Sequence, residues 1–212
     1  HHTPPPPPPP PPRLNCRRQR QMCIRDRFRG YRKEDGVSPE SEVETYVAVR
    51  LYLDSWRWDG VPFFIRTGKN LAVTANEVLV ELRRPPRNVL TGFDAGQPNR
   101  LRFGLGPDLS IAMSTNIRKP GLNWELGDGE MVTCREASQE DEIAAYRDLL
   151  RSAMQGDAVP FARSDGVEAQ WQVVAPVFGN VTPVYEYESG TWGPGEAERL
   201  VQDFGDWIAP TF

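Results

Sequence analysis

Arg66-Thr67-Gly68-Lys69-Asn70 places two cations around a glycine, directly after the apolar run Phe63-Phe64-Ile65. A glycine turn at the end of a strand can present an ammonium to a phosphate or to sugar hydroxyls with little steric hindrance. The same string also reads as a surface hairpin with solvated charges. Gly68-Lys69 is not a phosphate loop, because that motif needs a glycine where Phe63 stands and a hydroxyl residue where Asn70 stands. Gly104-Leu105-Gly106 begins like a dinucleotide fingerprint, but Leu109 occupies the position of the third glycine and no βαβ unit surrounds it.

Other chemistries are excluded by composition. Histidine occurs only as His1 and His2, so Ser-His-Asp and Cys-His nucleophile systems have no base in the body of the chain. Cysteine is limited to Cys16, Cys23 and Cys134, an odd number without zinc-site spacing. Cys134 is expected to be a plain buried thiol on a strand. A pair of glycosidase-type carboxylates is not excluded by spacing, but most Asp and Glu residues stand in polar contexts that suit a solvated face. Asn180-Val181-Thr182 is a glycosylation triplet only if the chain is secreted.

Charge is unevenly distributed. Nine of the 25 Lys and Arg residues lie between Arg13 and Lys33, a stretch whose one acid is Asp26, while the chain as a whole carries -4. The remainder is therefore strongly acidic, which argues against nucleic acid as a partner. The basic stretch alone could serve as a nucleic-acid arm. No apolar run is long enough to span a bilayer, and the start lacks a secretory pattern. The expectation is a soluble, cytoplasmic protein with no membrane partner.

The elements that must position the Arg66–Lys69 turn follow from periodicity. Residues 1–27, with prolines from Pro4 to Pro12, read as a disordered tail, as a ligand for a proline-reading domain, or as non-native sequence. The folded domain is placed at 28–212. Val43, Val47, Val49, Leu51 and Leu53 alternate with Glu44, Tyr46, Ala48, Arg50 and Tyr52, predicting a long strand with one buried and one mixed face. Further strands are expected at Phe63–Arg66, Glu77–Arg83 and Gly127–Cys134, with a hairpin of Arg100–Leu105 and Leu109–Ser114.

Helices follow. Ser138 and Asp141 have capping-box spacing ahead of Ile143, Tyr146, Leu150 and Met154, and Gly156 ends that run. Asp165 and Glu168 open a second helix carrying Val167, Trp171 and Val174. Gly193-Pro194 predicts a third, bearing Ala197, Leu200, Val201 and Phe204. Strands first and helices second imply an α+β fold, a large mostly antiparallel sheet with helices packed on one side. A sheet with a half-exposed face would also make a homo-oligomer surface.

Several strings together resemble glucose-6-phosphate dehydrogenase, in its C-terminal domain. The longest runs from Asp54-Ser55-Trp56-Arg57-Trp58-Asp59-Gly60-Val61-Pro62 to Arg66-Thr67-Gly68-Lys69. Others are Val43-Glu44-Thr45-Tyr46, Lys119-Pro120-Gly121, Ala145-Tyr146-Arg147-Asp148-Leu149-Leu150, Phe161-Ala162-Arg163-Ser164-Asp165 and Gly190-Thr191-Trp192. The resemblance covers Phe28 to Phe212 and implies the substrate-side and dimerisation half of an NADP-dependent oxidoreductase of the pentose phosphate pathway. Its partners would be glucose 6-phosphate and a second copy of the chain. In the family a histidine takes the C1 hydroxyl proton as hydride passes to the nicotinamide. That histidine, its orienting aspartate and the NADP-binding Rossmann half have no counterpart here, so the chain is expected to be inactive alone. Lys69 matches a substrate-contacting lysine. Arg66 matches a family arginine that either touches a ligand or supports the turn. Thr74 stands where the family often has a second cation. A stand-alone structural or regulatory domain that dimerises through its sheet is the alternative.

Overall fold

A computed structural model describes residues 23–53, 55–84, 97–106, 108–120, 126–135, 139–175 and 184–210. They contain strands β1 (Cys23–Phe28), β2 (Tyr46–Tyr52), β3 (Pro62–Gly68), β4 (Asn76–Glu81), β5 (Arg100–Gly106), β6 (Leu109–Arg118), β7 (Leu126–Arg135) and β8 (Val184–Tyr187). The α-helices are α1 (Gln139–Gln155) and α2 (Ser164–Val174). The chain divides into two units, His1–Val73 with Ala158–Ala209, and Thr74–Asp157 with Pro210–Phe212. The fold is α+β with mostly antiparallel strands, and the strands are shared between two four-stranded sheets.

The first unit carries the sheet β3-β2-β1-β8, in which the β1–β8 pair is parallel and the other pairs are antiparallel. β1 takes in Cys23–Arg27, residues that composition assigns to the tail. Its charges conceal a strand whose Ile24, Asp26 and Phe28 all point into the interior. On β2 the mixed face, not the aliphatic one, is buried deepest. Tyr46 and Ala48 are almost inaccessible, because Ala197 and Leu200 of the C-terminal segment pack with them in one core with Ile24, Phe28 and Tyr187. The helix expected after Pro194 is instead a short 3-10 helix, Gly195–Leu200. Its bonds run three residues back, from Ala197 N to Pro194 O and from Val201 N to Glu198 O, and Phe204 N continues the pattern to Val201 O. That tighter winding buries Ala197, Leu200 and Val201 and leaves Phe204 exposed.

The second unit is an antiparallel meander in the order β4-β5-β6-β7, with the expected β5–β6 hairpin. Register separates its faces. Val78, Phe103 and Ile111 align across three strands, and Val80, Leu101, Met113 and Met131 align across all four. The opposite face carries the ion pairs Arg102–Glu77 at 2.7 Å and Arg100–Glu81 at 2.9 Å. Cys134 lies on β7 as expected, but it is exposed, since β7 is the last strand of the sheet. α1 ends at Gly156, whose φ of 71 suits a glycine stop. Ser138, the Asp141 side chain and Asn180–Thr182 lie outside the described residues.

Candidate functional site

The Lys69 turn is built by close packing at the end of β3. A Cβ on Gly68 would stand 2.8 Å from Tyr46 Cδ2 and 3.3 Å from the Thr45 carbonyl, so only glycine lets the strand pass over the Tyr46 ring. Beyond Gly68 the backbone is anchored at consecutive groups. The Lys69 amide donates to Thr45 O at 2.8 Å, and the Tyr187 hydroxyl donates to Lys69 O at 2.6 Å. Asn70 adopts the left-handed region (φ 50), which asparagine tolerates better than most residues. Its carbonyl accepts from Gly190 N at 2.8 Å, and Ala72 N donates to Thr191 O at 3.0 Å. The turn is therefore clamped between the start of β2 and the segment after β8.

Lys69 itself is exposed, and among the described residues no side chain pairs with its ammonium. A solvent-facing cation on a fixed backbone can bind an anionic ligand without first breaking an ion pair. The Arg66 guanidinium has different surroundings. It lies between the Trp192 and Trp207 rings, at 4.6 and 4.7 Å from their centroids. Burial lowers its pKa, opposed by the neighbouring Tyr46 and Glu198. Trp207 is held in turn by its Nε1–H donating to Ala197 O at 3.0 Å. Arg66 thus joins β3 to the C-terminal segment by cation–π contact. Arg66→Met keeps the aliphatic stem and removes the charge. It is expected to cost about 2 kcal/mol of stability, read by urea unfolding followed through tryptophan fluorescence. Loss of less than about 0.5 kcal/mol would show that the sandwich contributes little.

Along one edge of the Tyr46 ring, Cδ2 lies against Gly68 and Cε2 against Gly193. The Tyr46 hydroxyl is buried without a partner, and burial pushes its pKa above the usual tyrosine range. Thr74 is exposed and is the first residue of the second unit. Thr45, Tyr187, Trp192 and Trp207 were not among the expected site residues. Tyr187 and Lys69 are 118 positions apart, and no local spacing connects them.

The described residues do not fit a dinucleotide. Gly104 and Gly106 stand inside β5 of an antiparallel sheet, and a Cβ on Gly104 would lie 2.4 Å from Ser110 Oγ. That glycine serves the hairpin, not a phosphate cradle. Nor do the described residues bring together three metal-ligating side chains. A polar hollow of about 350 Å³ on the second sheet is lined by Arg100 and Arg102, but both are already paired with Glu81 and Glu77.

Residues 16–208 match the family model for the glucose-6-phosphate dehydrogenase C-terminal domain. Glucose-6-phosphate 1-dehydrogenase of Aggregatibacter actinomycetemcomitans is 38% identical over 189 residues, 86% of this chain and 38% of the relative. Glucose-6-phosphate 1-dehydrogenase 1 of Mycobacterium tuberculosis strain H37Rv is 33% identical over 89% of this chain and 40% of its own length. The crystal structure of glucose-6-phosphate 1-dehydrogenase from Mycobacterium avium superposes with a TM-score of 0.76 at 32% identity, over 90% of this chain and 40% of that one. A glucose-6-phosphate dehydrogenase solved with its substrate shares the fold, with a TM-score of 0.64 at 23% identity. The chain spans about two fifths of the length of these relatives.

Proposed function

Because the chain belongs to the glucose-6-phosphate dehydrogenase C-terminal domain family, we propose that it is the substrate-side and dimerisation half of an NADP-dependent oxidoreductase. The reaction is oxidation of glucose 6-phosphate at C1 to 6-phosphogluconolactone, the entry to the pentose phosphate pathway, in the cytoplasm. The observation that carries this reading is the Lys69 ammonium, unpaired among the described residues on a doubly anchored turn. A fixed cation holds the sugar phosphate in place for hydride transfer. NADP and the base that takes the C1 proton belong to residues other than those described, since histidine occurs only at His1 and His2. The chain by itself therefore binds sugar phosphate without turning it over. Homo-oligomerisation through the second sheet is supported by its exposed apolar face, with Leu105, Ile111, Ile117 and Met131 each at least half accessible. A stand-alone regulatory domain is less favoured, because the relatives carry this domain within a longer dehydrogenase.

Titration of the purified chain with glucose 6-phosphate tests the site. Lys69→Met is expected to weaken binding about tenfold or more, the scale of a hydrogen bond to a charged group. Unchanged affinity would remove Lys69 from the site. NADP reduction by the chain alone would overturn the inactive reading.

A further inference from the structure

We propose that Tyr187 is a positioning residue for the Lys69 ammonium, acting through a directed chain of hydrogen bonds that fixes the peptide between Lys69 and Asn70. The inference rests on Lys69 being the substrate contact. Donor and acceptor counting gives the chain its direction. Phe28 N donates to Thr45 Oγ1 at 3.1 Å, which leaves the threonine proton free for Tyr187 Oη at 3.2 Å. The single phenolic proton has two carbonyls in reach, Lys69 O at 2.6 Å and Thr45 O at 3.4 Å. The shorter contact takes it. The order is therefore Phe28 N–H, Thr45 O–H, Tyr187 O–H and Lys69 C=O. In a buried setting each bond polarises the next.

The Tyr187 ring cannot swing away from this task. It is 3% exposed and packs against Tyr46 and Phe28 at centroid distances of 5.4 and 6.3 Å. The held carbonyl belongs to the peptide whose rotation sets the φ of Asn70. Asn70 at φ 50 is a less favoured conformation, and a peptide flip would relieve it. The Tyr187 hydroxyl opposes that flip. Without it the Lys69–Asn70 peptide is free to rotate, the ψ of Lys69 that sets how its side chain lies beside the backbone is no longer fixed, and the ammonium samples several orientations.

The test uses the full chain, labelled for amide NMR and titrated with glucose 6-phosphate. Tyr187→Phe is expected to weaken binding about fivefold, the scale of one neutral hydrogen bond. The Lys69 and Asn70 amide resonances are expected to shift or broaden while the rest of the spectrum holds. Thr45→Val breaks the chain one step earlier and is expected to move the same resonances. Thr45→Ser keeps the hydroxyl and should restore parental behaviour. If Tyr187→Phe binds as tightly as the parent while Lys69→Met does not, the positioning role is refuted and the substrate reading survives. If Lys69→Met binds like the parent, the substrate reading fails, and an unmoved Asn70 amide in Tyr187→Phe refutes the positioning role independently. Should Tyr187→Phe fail to fold, Thr45→Val decides by the same two readouts.

Discussion

Gly193→Ala is expected to lower the stability of the first unit by about 3 kcal/mol, a large loss for the addition of one methyl group. Two effects add. Gly193 has φ 100, a region in which an L side chain is strained by about 1 to 2 kcal/mol. Its Cβ would also stand 2.4 Å from Tyr46 Cε2 and 2.6 Å from Cζ, well inside contact distance. Tyr46 cannot retreat, because it is 2% exposed and the Tyr187 ring packs against it at a centroid distance of 5.4 Å. Overpacking of a closed core costs about 1 to 3 kcal/mol. Gly30 supplies the control, with φ 94 and nothing within 4 Å of the point where an added methyl would stand. Gly30→Ala carries the backbone strain alone and should cost about 1 kcal/mol. Urea unfolding of both variants, followed by tryptophan fluorescence, separates the two effects. Equal losses would mean that the Tyr46 contact relaxes without cost. Since Gly193 leads into Pro194 and the 3-10 helix, the loss should also release the clamp around Lys69.

The second large effect is the pH dependence contributed by Asp26. The residue is fully buried on β1. One carboxylate oxygen accepts from Tyr185 N at 2.7 Å, and the other has no partner. Burial raises its pKa from 3.8 to about 6, with the Tyr185 bond opposing and the Glu196 charge adding to the rise. The sign follows from proton counting. Between the two values the folded chain binds more protons than the unfolded chain, so stability falls as pH rises through that window. Its stabilising share is complete below about pH 4 and lost above about pH 6, a change of about 3 kcal/mol. Comparison with Asp26→Asn isolates the contribution of this one carboxyl. The asparagine keeps an acceptor for Tyr185 N and cannot ionise. The stability of Asp26→Asn relative to the parent is expected to grow by about 3 kcal/mol between pH 4 and pH 7.5. A difference that is flat with pH would show that the Asp26 carboxyl is not desolvated in the folded chain.

The partition between what was legible in the sequence and what was not follows from the range of each signal. The β2 strand, the β5–β6 hairpin, α1 with its Gly156 stop, and α2 were all readable, because two-residue and 3.6-residue periods are local properties. The Arg66–Lys69 turn was readable for the same reason, as a glycine between cations after an apolar run. The family resemblance also rested on contiguous strings between Phe28 and Phe212, and the family model matches residues 16–208. β1 was hidden because Arg25 and Asp26 are charged residues inside the core, which composition assigns to solvent. The 3-10 helix after Pro194 was read as longer because Ala197, Leu200 and Val201 satisfy either winding.

Sequence alone therefore determined the α+β class, most strands and both α-helices, and the cation that faces solvent at Lys69. Tertiary structure decided which face of β2 is buried, how the strands divide between two sheets, and what each site residue touches. It placed Arg66 between Trp192 and Trp207 and set the Tyr187 hydroxyl on the Lys69 carbonyl. The physical reason is chain distance. Those contacts join β3 to segments more than a hundred residues later. They exist only because β8 pairs with β1 and the C-terminal segment packs over Tyr46 and Ala48. No local propensity encodes such a meeting. It follows from burying one shared core.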